Sequence, residues 1–140
     1  MWKYYAILSA VFAALTAIFA KIGLKDVDSN LATAIRTVVI LLITWGIVYF
    51  SNTIHGIKDL NHMNWLFLIL SGVATGLSWI FYFKALQLGD ASKVVPIDKL
   101  SVVIAILLSF LILKETVSWR VILGGLLITG GALVIMMDKH

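Results

Sequence analysis

The 140-residue sequence predicts an all-α integral membrane protein, a bundle of five transmembrane helices. Three observations carry that expectation. The composition is 61% hydrophobic and only 13% charged, with a mean hydropathy of +1.04, far too apolar for a soluble domain of this length. Five apolar stretches each approach the roughly 20 residues that cross a bilayer of about 30 Å. Backbone polar groups in lipid must be satisfied within the chain, which leaves helices, since a barrel would show alternating polarity in strands of about 10 residues.

The first stretch runs from Trp2 to Ala20. Its positive leader is only Lys3 and no A-x-A pattern follows, so it is expected to stay as a span and not to be cleaved as a signal peptide. Ser9, Ala13, Thr16 and Ala20 form a seam of small residues suited to close helix approach. The second stretch, Leu31 to Phe50, carries Arg36 about six residues in, or roughly 9 Å along the axis. The third, Asn64 to Leu86, contains a G-x-x-x-G at Gly72 and Gly76, whose face continues through Trp79 and Phe83 with Tyr82 flanking. The fourth, Ala91 to Leu113, opens on a run holding Pro96, Asp98 and Lys99. The fifth, Trp119 to Met137, is rich in glycine, with Gly124, Gly125, Gly130 and Gly131 read as packing positions that could also serve dimerisation. The connections Lys21 to Asn30, Ser51 to His62, Gln87 to Asp90 and Lys114 to Ser118 leave no room for a catalytic domain outside the membrane, so residues 1–140 read as one transmembrane domain.

Several function classes drop out. Cysteine is absent, which excludes disulfides, thiol redox chemistry and thiolate metal sites. His55 and His62 lie in a polar loop without further ligands nearby, so no metal site is expected. No nucleophile and base pair or phosphate-cradling glycine loop is present, so neither an enzyme nor a cofactor is expected. The net charge of +4 comes from basic residues scattered singly among the spans, without the patch or stripe that nucleic acid requires. Glu115 and Ser118, at the start of the last helix, suit capping or a surface role.

Five spans put the termini on opposite sides, and basic residues near the span ends should then set the orientation. Four lie on the N-terminal side, Lys3, Lys58, Lys114 and Arg120, against five on the other, Lys21, Lys25, Lys84, Lys93 and Lys139. This near-balance fits either a weak signal for one orientation or insertion both ways. Trp2, Tyr4, Tyr5, Tyr49, Trp65 and Trp119 all lie near the N-terminal face, but aromatics anchor depth without choosing a side.

Charge inside a span costs several kcal/mol by insertion scales and usually faces a bundle interior or a wet cavity. Lys21, Lys84 and Lys93 sit at span ends, where their stems can reach the interface. Arg36 is deeper, and two readings stand: a cation on a pathway, or a long side chain reaching the head groups, with Asp98 the obvious carboxylate for it. Asp98 and Lys99 are adjacent, about 100° apart on a helix, so each is expected to need its own partner or water. Pro96 removes a backbone donor and frees a carbonyl one turn earlier, which predicts a kink. Ser101, Ala105 and Ser109 continue a small polar stripe from Asp98. The alternative is that Asp98 and Lys99 only close a structural ion pair with Arg36 or another loop charge.

Phe19, Lys21 and Gly23 ending the first helix, Arg36 in the second, Tyr82, Ala85 and Leu86 ending the third, Ala91-Ser92 with Val95-Pro96, then Glu115, Gly124 and Gly130, together resemble the EamA-type domain of the drug/metabolite transporter superfamily. The resemblance covers essentially the whole chain. Most relatives look like a duplication of this unit, ten helices in two inverted halves around a central cavity, of which this chain supplies one half. The resemblance implies a second copy in opposite orientation, an antiparallel homodimer with its twofold axis in the membrane plane. Many family members carry proline near the position of Ser101, and its absence here weakens any substrate inferred from relatives.

The function that follows is a secondary transporter in a prokaryotic inner membrane, exporting a small polar or amphipathic metabolite. Asp98, Lys99, Arg36, Ser101, Trp79 and Tyr82 are its expected substrate or ion contacts, Pro96 its kink, and Gly72, Gly76, Gly124, Gly125 and Gly130 its packing positions. Lipid-carrier flipping or multidrug export is an alternative, although the first span lacks the carboxylate that the small multidrug branch uses. A structural or regulatory subunit of a larger complex is the alternative of a different class.

Overall fold

A computed structural model describes residues 1–138, and Lys139, counted above for topology, lies outside them. Helix α1 spans Trp2–Gly23, α2 Ser29–Phe50, α3 His62–Leu88, α4 Ala91–Asp98, α5 Leu100–Leu111 and α6 Trp119–Met136, with a 3₁₀ turn at Ile54–Asp59 between α2 and α3. Five segments are long and apolar enough to span a bilayer, with α4 and α5 together forming the fourth, from Ala91 to Leu111. There is no strand among the described residues. Ile7, Val11, Leu42, Phe67 and Leu127 are all more than half exposed, which suits helices that lay their apolar sides in lipid.

Local sequence explains where the helices begin and end. Asp28 caps α2, its carboxylate accepting from the N–H groups of Asn30 at 2.9 Å and Leu31 at 3.2 Å. Asn61 caps α3 in the same way, accepting from the Asn64 N–H at 2.8 Å. Helix α2 closes in a Schellman arrangement: Asn52 takes a left-handed φ of 57°, and the Thr53 and Asn52 N–H groups return to the carbonyls of Val48 and Tyr49. Ser118 occupies the N-cap position of α6, as expected, but its hydroxyl makes no capping bond, and its carbonyl receives the N–H groups of Val121 and Ile122 instead.

The chain divides into two compact units, Met1–Ile18 with the segment from Leu88 onward, and Phe19–Gln87. In the first, α6 packs against both α4 and α5. Gly125 and Ala132 are the buried residues of α6, and a Cβ built on Gly125 would lie 3.4 Å from the Ile106 Cδ1 of α5. At Lys93, one turn into α4, the ammonium pairs with Asp138 beyond α6 at 3.0 Å. Because the only neighbour of that Cβ is the tip of a flexible side chain, Gly125→Ala is expected to keep the packing and to gain up to about 0.5–1 kcal/mol of helix propensity. A raised midpoint in thermal or SDS unfolding is the expected readout.

In the second unit, the buried residues Leu24, Ser29, Thr33, Phe83 and Leu86 come from the segment after α1, the first turns of α2 and the last turns of α3. Two long-range bonds tie these ends together. Lys21 Nζ donates to the Leu86 carbonyl at 2.6 Å, and Gln87 Nε2 donates to the Val27 carbonyl at 2.8 Å. Each satisfies a main-chain oxygen beyond or near a helix end, where helical bonding runs out.

Candidate functional site

Helix α2 begins at Ser29, so Arg36 lies seven residues, about 10 Å, inside it. Its Cζ sits 4.4 Å from the centre of the Trp79 ring and 5.1 Å from that of Phe83. Trp79 and Phe83 are four residues apart on α3, hence on one face one turn from each other. Counted back from Leu88, they lie about 13 Å and 8 Å from the end of that helix. Both helices therefore place the guanidinium well inside the spans, over aromatic faces, and not stretched toward head groups. Tyr82 adjoins the cluster through Phe83, their rings edge to face at 6.2 Å.

Arg36 thus takes two rings as partners where the sequence suggested a carboxylate. Two nearby hydroxyls of α2 are occupied with their own helix: Thr33 Oγ1 donates to the Ser29 carbonyl and Thr37 Oγ1 to the Thr33 carbonyl, each at 2.7 Å. Sequence reasoning set Trp79 and Phe83 on one face of α3 with Tyr82 flanking, but counted only Trp79 and Tyr82 among the contacts. The i, i+4 spacing of Trp79 and Phe83 was the signal that could have placed Phe83 there.

The fourth span departs from regular α-helix after Pro96. Pro96 cannot donate to the Ser92 carbonyl, and the chain tightens into 3₁₀-type bonding one turn later, with Lys99 N–H on the Pro96 carbonyl and Val102 N–H on that of Lys99. The α-helical pattern is interrupted at Lys99 alone, whose backbone stays in the right-handed helical region (φ −68°, ψ −5°), so the expected kink takes the form of a one-residue tightening between α4 and α5. The expectation that Asp98 and Lys99 could not share a partner face needs correcting. Lys99 Nζ lies 3.6 Å from Asp98 Oδ2, because the flexible lysine stem is long enough to fold back on the preceding carboxylate. The two side chains are 49% and 36% exposed, so the pair is not sealed within the helix packing. Ser101, in the first turn of α5, is exposed.

Lys21 and Lys93, read from sequence as stems reaching the interface, have specific partners in the Leu86 carbonyl and Asp138. A cleft of about 390 Å³ opens beside the first of these, lined by Lys21, Ile22, Leu24, Lys25, Leu86 and Gln87. It lies against the C-terminal ends of α1 and α3, where carbonyl dipoles favour cations and lysines complement them. Gly72, Gly76, Gly124 and Gly130 have no atom within 4 Å of the place a Cβ would occupy.

Compared with known proteins, residues 1–137 match the model of the EamA-like transporter family. The chain belongs to that family. It is also 47% identical over 134 residues, covering 96% of this chain and 95% of the relative, to a Sinorhizobium protein described as an uncharacterized transporter in the cobO 3' region. No solved structure gives a significant match. An EamA-like chain of five apolar spans is an integral membrane transporter, and the cation held on rings in α2 and the irregular, charged fourth span are the features of this member that a transport site could use.

Proposed function

We propose that the protein is a secondary transporter that exports a small polar or amphipathic metabolite across a prokaryotic inner membrane, working as an antiparallel homodimer with alternating access. The observation that carries the proposal is the Asp98–Lys99 ion pair at the helix irregularity after Pro96, inside a span where lipid alone would penalise it. Transporters of inverted repeats bind ions and substrate between the repeats, and one five-helix unit holds one repeat. Asp98 is assigned to proton or substrate binding, with Lys99 releasing it on opening and Ser101 flanking it in the next turn. Arg36, Trp79 and Tyr82 contribute a second set of substrate contacts. Substrate and proton compete for the charged groups and so bias which face is open.

Insertion in both orientations is the expected consequence of the near-balanced basic residues. Reporters fused to either terminus should each register on both sides of the membrane, and cross-linking in native membranes should give a homodimer. A single orientation removes the antiparallel dimer. Cross-linking to a foreign chain favours a subunit of a larger complex.

A further inference from the structure

Arg36 is the one membrane-embedded cation whose surroundings are specified on two sides yet leave its chemistry unfinished. Among the described residues its guanidinium makes no hydrogen bond and has no carboxylate within ion-pair distance. It cannot escape by losing a proton, because the guanidinium stays charged in proteins, and its five N–H donors need acceptors. Trp79 and Phe83 attract the cation through their ring faces but offer no lone pairs to those donors, and the Tyr82 phenol also acts on it electrostatically. The α2 hydroxyls nearest in sequence, Thr33 and Thr37, already donate to their own helix. The position is about 10 Å inside α2, where head groups do not supply an acceptor without a long reach.

We infer that the cargo is a small monocarboxylate, whose carboxylate binds the Arg36 guanidinium in a bidentate fork while Trp79 and Phe83 hold the guanidinium plane. This rests on the transport function proposed above and names the substrate class for it. The fork matches two parallel N–H groups to the two oxygens of a carboxylate. Charge count selects the same class. One arginine neutralises one negative charge, whereas a phosphate dianion would leave net charge in the span. The Asp98 and Lys99 pair is neutral by itself and adds no second cation. Stacking on rings fixes the guanidinium before the anion arrives, so less ordering remains to be done on binding.

The test uses the full chain in a zwitterionic detergent, which removes anionic head groups as competitors, and three probes of one shape: radiolabelled benzoate, benzamide and benzylamine. In equilibrium dialysis the wild-type protein should bind benzoate at least about tenfold more tightly than the neutral or cationic analogue. Arg36→Gln should weaken benzoate by about tenfold to hundredfold, and Arg36→Lys should restore only part of it, since an ammonium cannot make the fork. The selectivity of the wild-type chain needs no variant and stands even if Arg36→Gln fails to fold. Absence of benzoate binding at millimolar concentrations, equal binding of all three probes, or unchanged benzoate affinity in a folded Arg36→Gln protein would overturn the inference. Counterflow in proteoliposomes separates the two levels of the claim: flux of benzylamine without benzoate overturns the carboxylate cargo and leaves transport standing. Benzoate bound through Arg36 with no flux of any probe overturns the carboxylate as cargo and leaves Arg36 a binding site only.

Discussion

Asp98→Asn is expected to abolish proton coupling in proteoliposomes while leaving the fold intact. Asparagine keeps the shape of a protonated aspartate, so the tightening between α4 and α5 has no reason to change. It cannot cycle between charged and neutral forms, and it withdraws the counter-charge that Lys99 holds at 3.6 Å. The magnitude follows from the driving force. One proton exchanged per cargo is worth about 1.4 kcal/mol per pH unit, a tenfold accumulation ratio. The wild-type protein should therefore build a roughly tenfold gradient of any cargo showing protein-dependent counterflow for each unit of imposed pH difference, and Asp98→Asn should build none. Exchange without a pH gradient should survive in the variant, since it needs binding and reorientation but no net proton movement. A variant that still accumulates cargo in proportion to the pH difference would take Asp98 out of the coupling role and return it, with Lys99, to a structural ion pair.

The fold was legible because lipid imposes one rule on every span. Length and hydropathy alone place the apolar stretches within about two residues of most helix ends, and Pro96 marks the span whose helical bonding tightens at Lys99. What the sequence could not supply was the packing face. In water a helix shows its buried side as an apolar stripe, but in lipid the outward side is just as apolar, so α3 gives no stripe that points Trp79 and Phe83 toward α2. That loss explains why Arg36 was expected to find a carboxylate. The Lys21 and Gln87 bonds were invisible for a different reason: their acceptors are the main-chain carbonyls of Leu86 and Val27, which every residue possesses and no side chain announces. Asp28 shows the opposite case, a cap readable in principle from an acidic residue just before the apolar run, but passed over when span ends were drawn by hydropathy alone. The Asp98 to Lys99 contact does not follow from the roughly 100° between adjacent helix positions, because the lysine stem is long enough to bend back across that angle.

Phe83→Ala is the substitution expected to cost most stability, and it separates packing from charge within the Arg36 cluster. Phe83 is 2% exposed, in the last turns of α3, with Leu86 of the same helix fully buried one turn on. In a soluble protein its loss would combine a transfer term with a cavity term, but here the unpacked reference is a helix in lipid, so the transfer from water largely drops out. The cavity term remains. Removing roughly 100 Å³ at about 24 cal/mol per Å³ gives on the order of 2 kcal/mol, reduced by whatever the helices close up. Arg36 also loses one of its two rings, worth about 0.5–2 kcal/mol where the site is shielded from water. Phe83→Leu keeps most of the volume and removes only the ring, so its cost should fall near that second figure alone. Trp79→Phe keeps a ring on the other side and should cost less than either. Reversible SDS unfolding of the three variants reads the ordering directly. If Phe83→Leu proves as damaging as Phe83→Ala, the ring under Arg36 dominates. If Phe83→Leu is neutral and Phe83→Ala is not, Phe83 is a packing residue and Trp79 alone holds the cation.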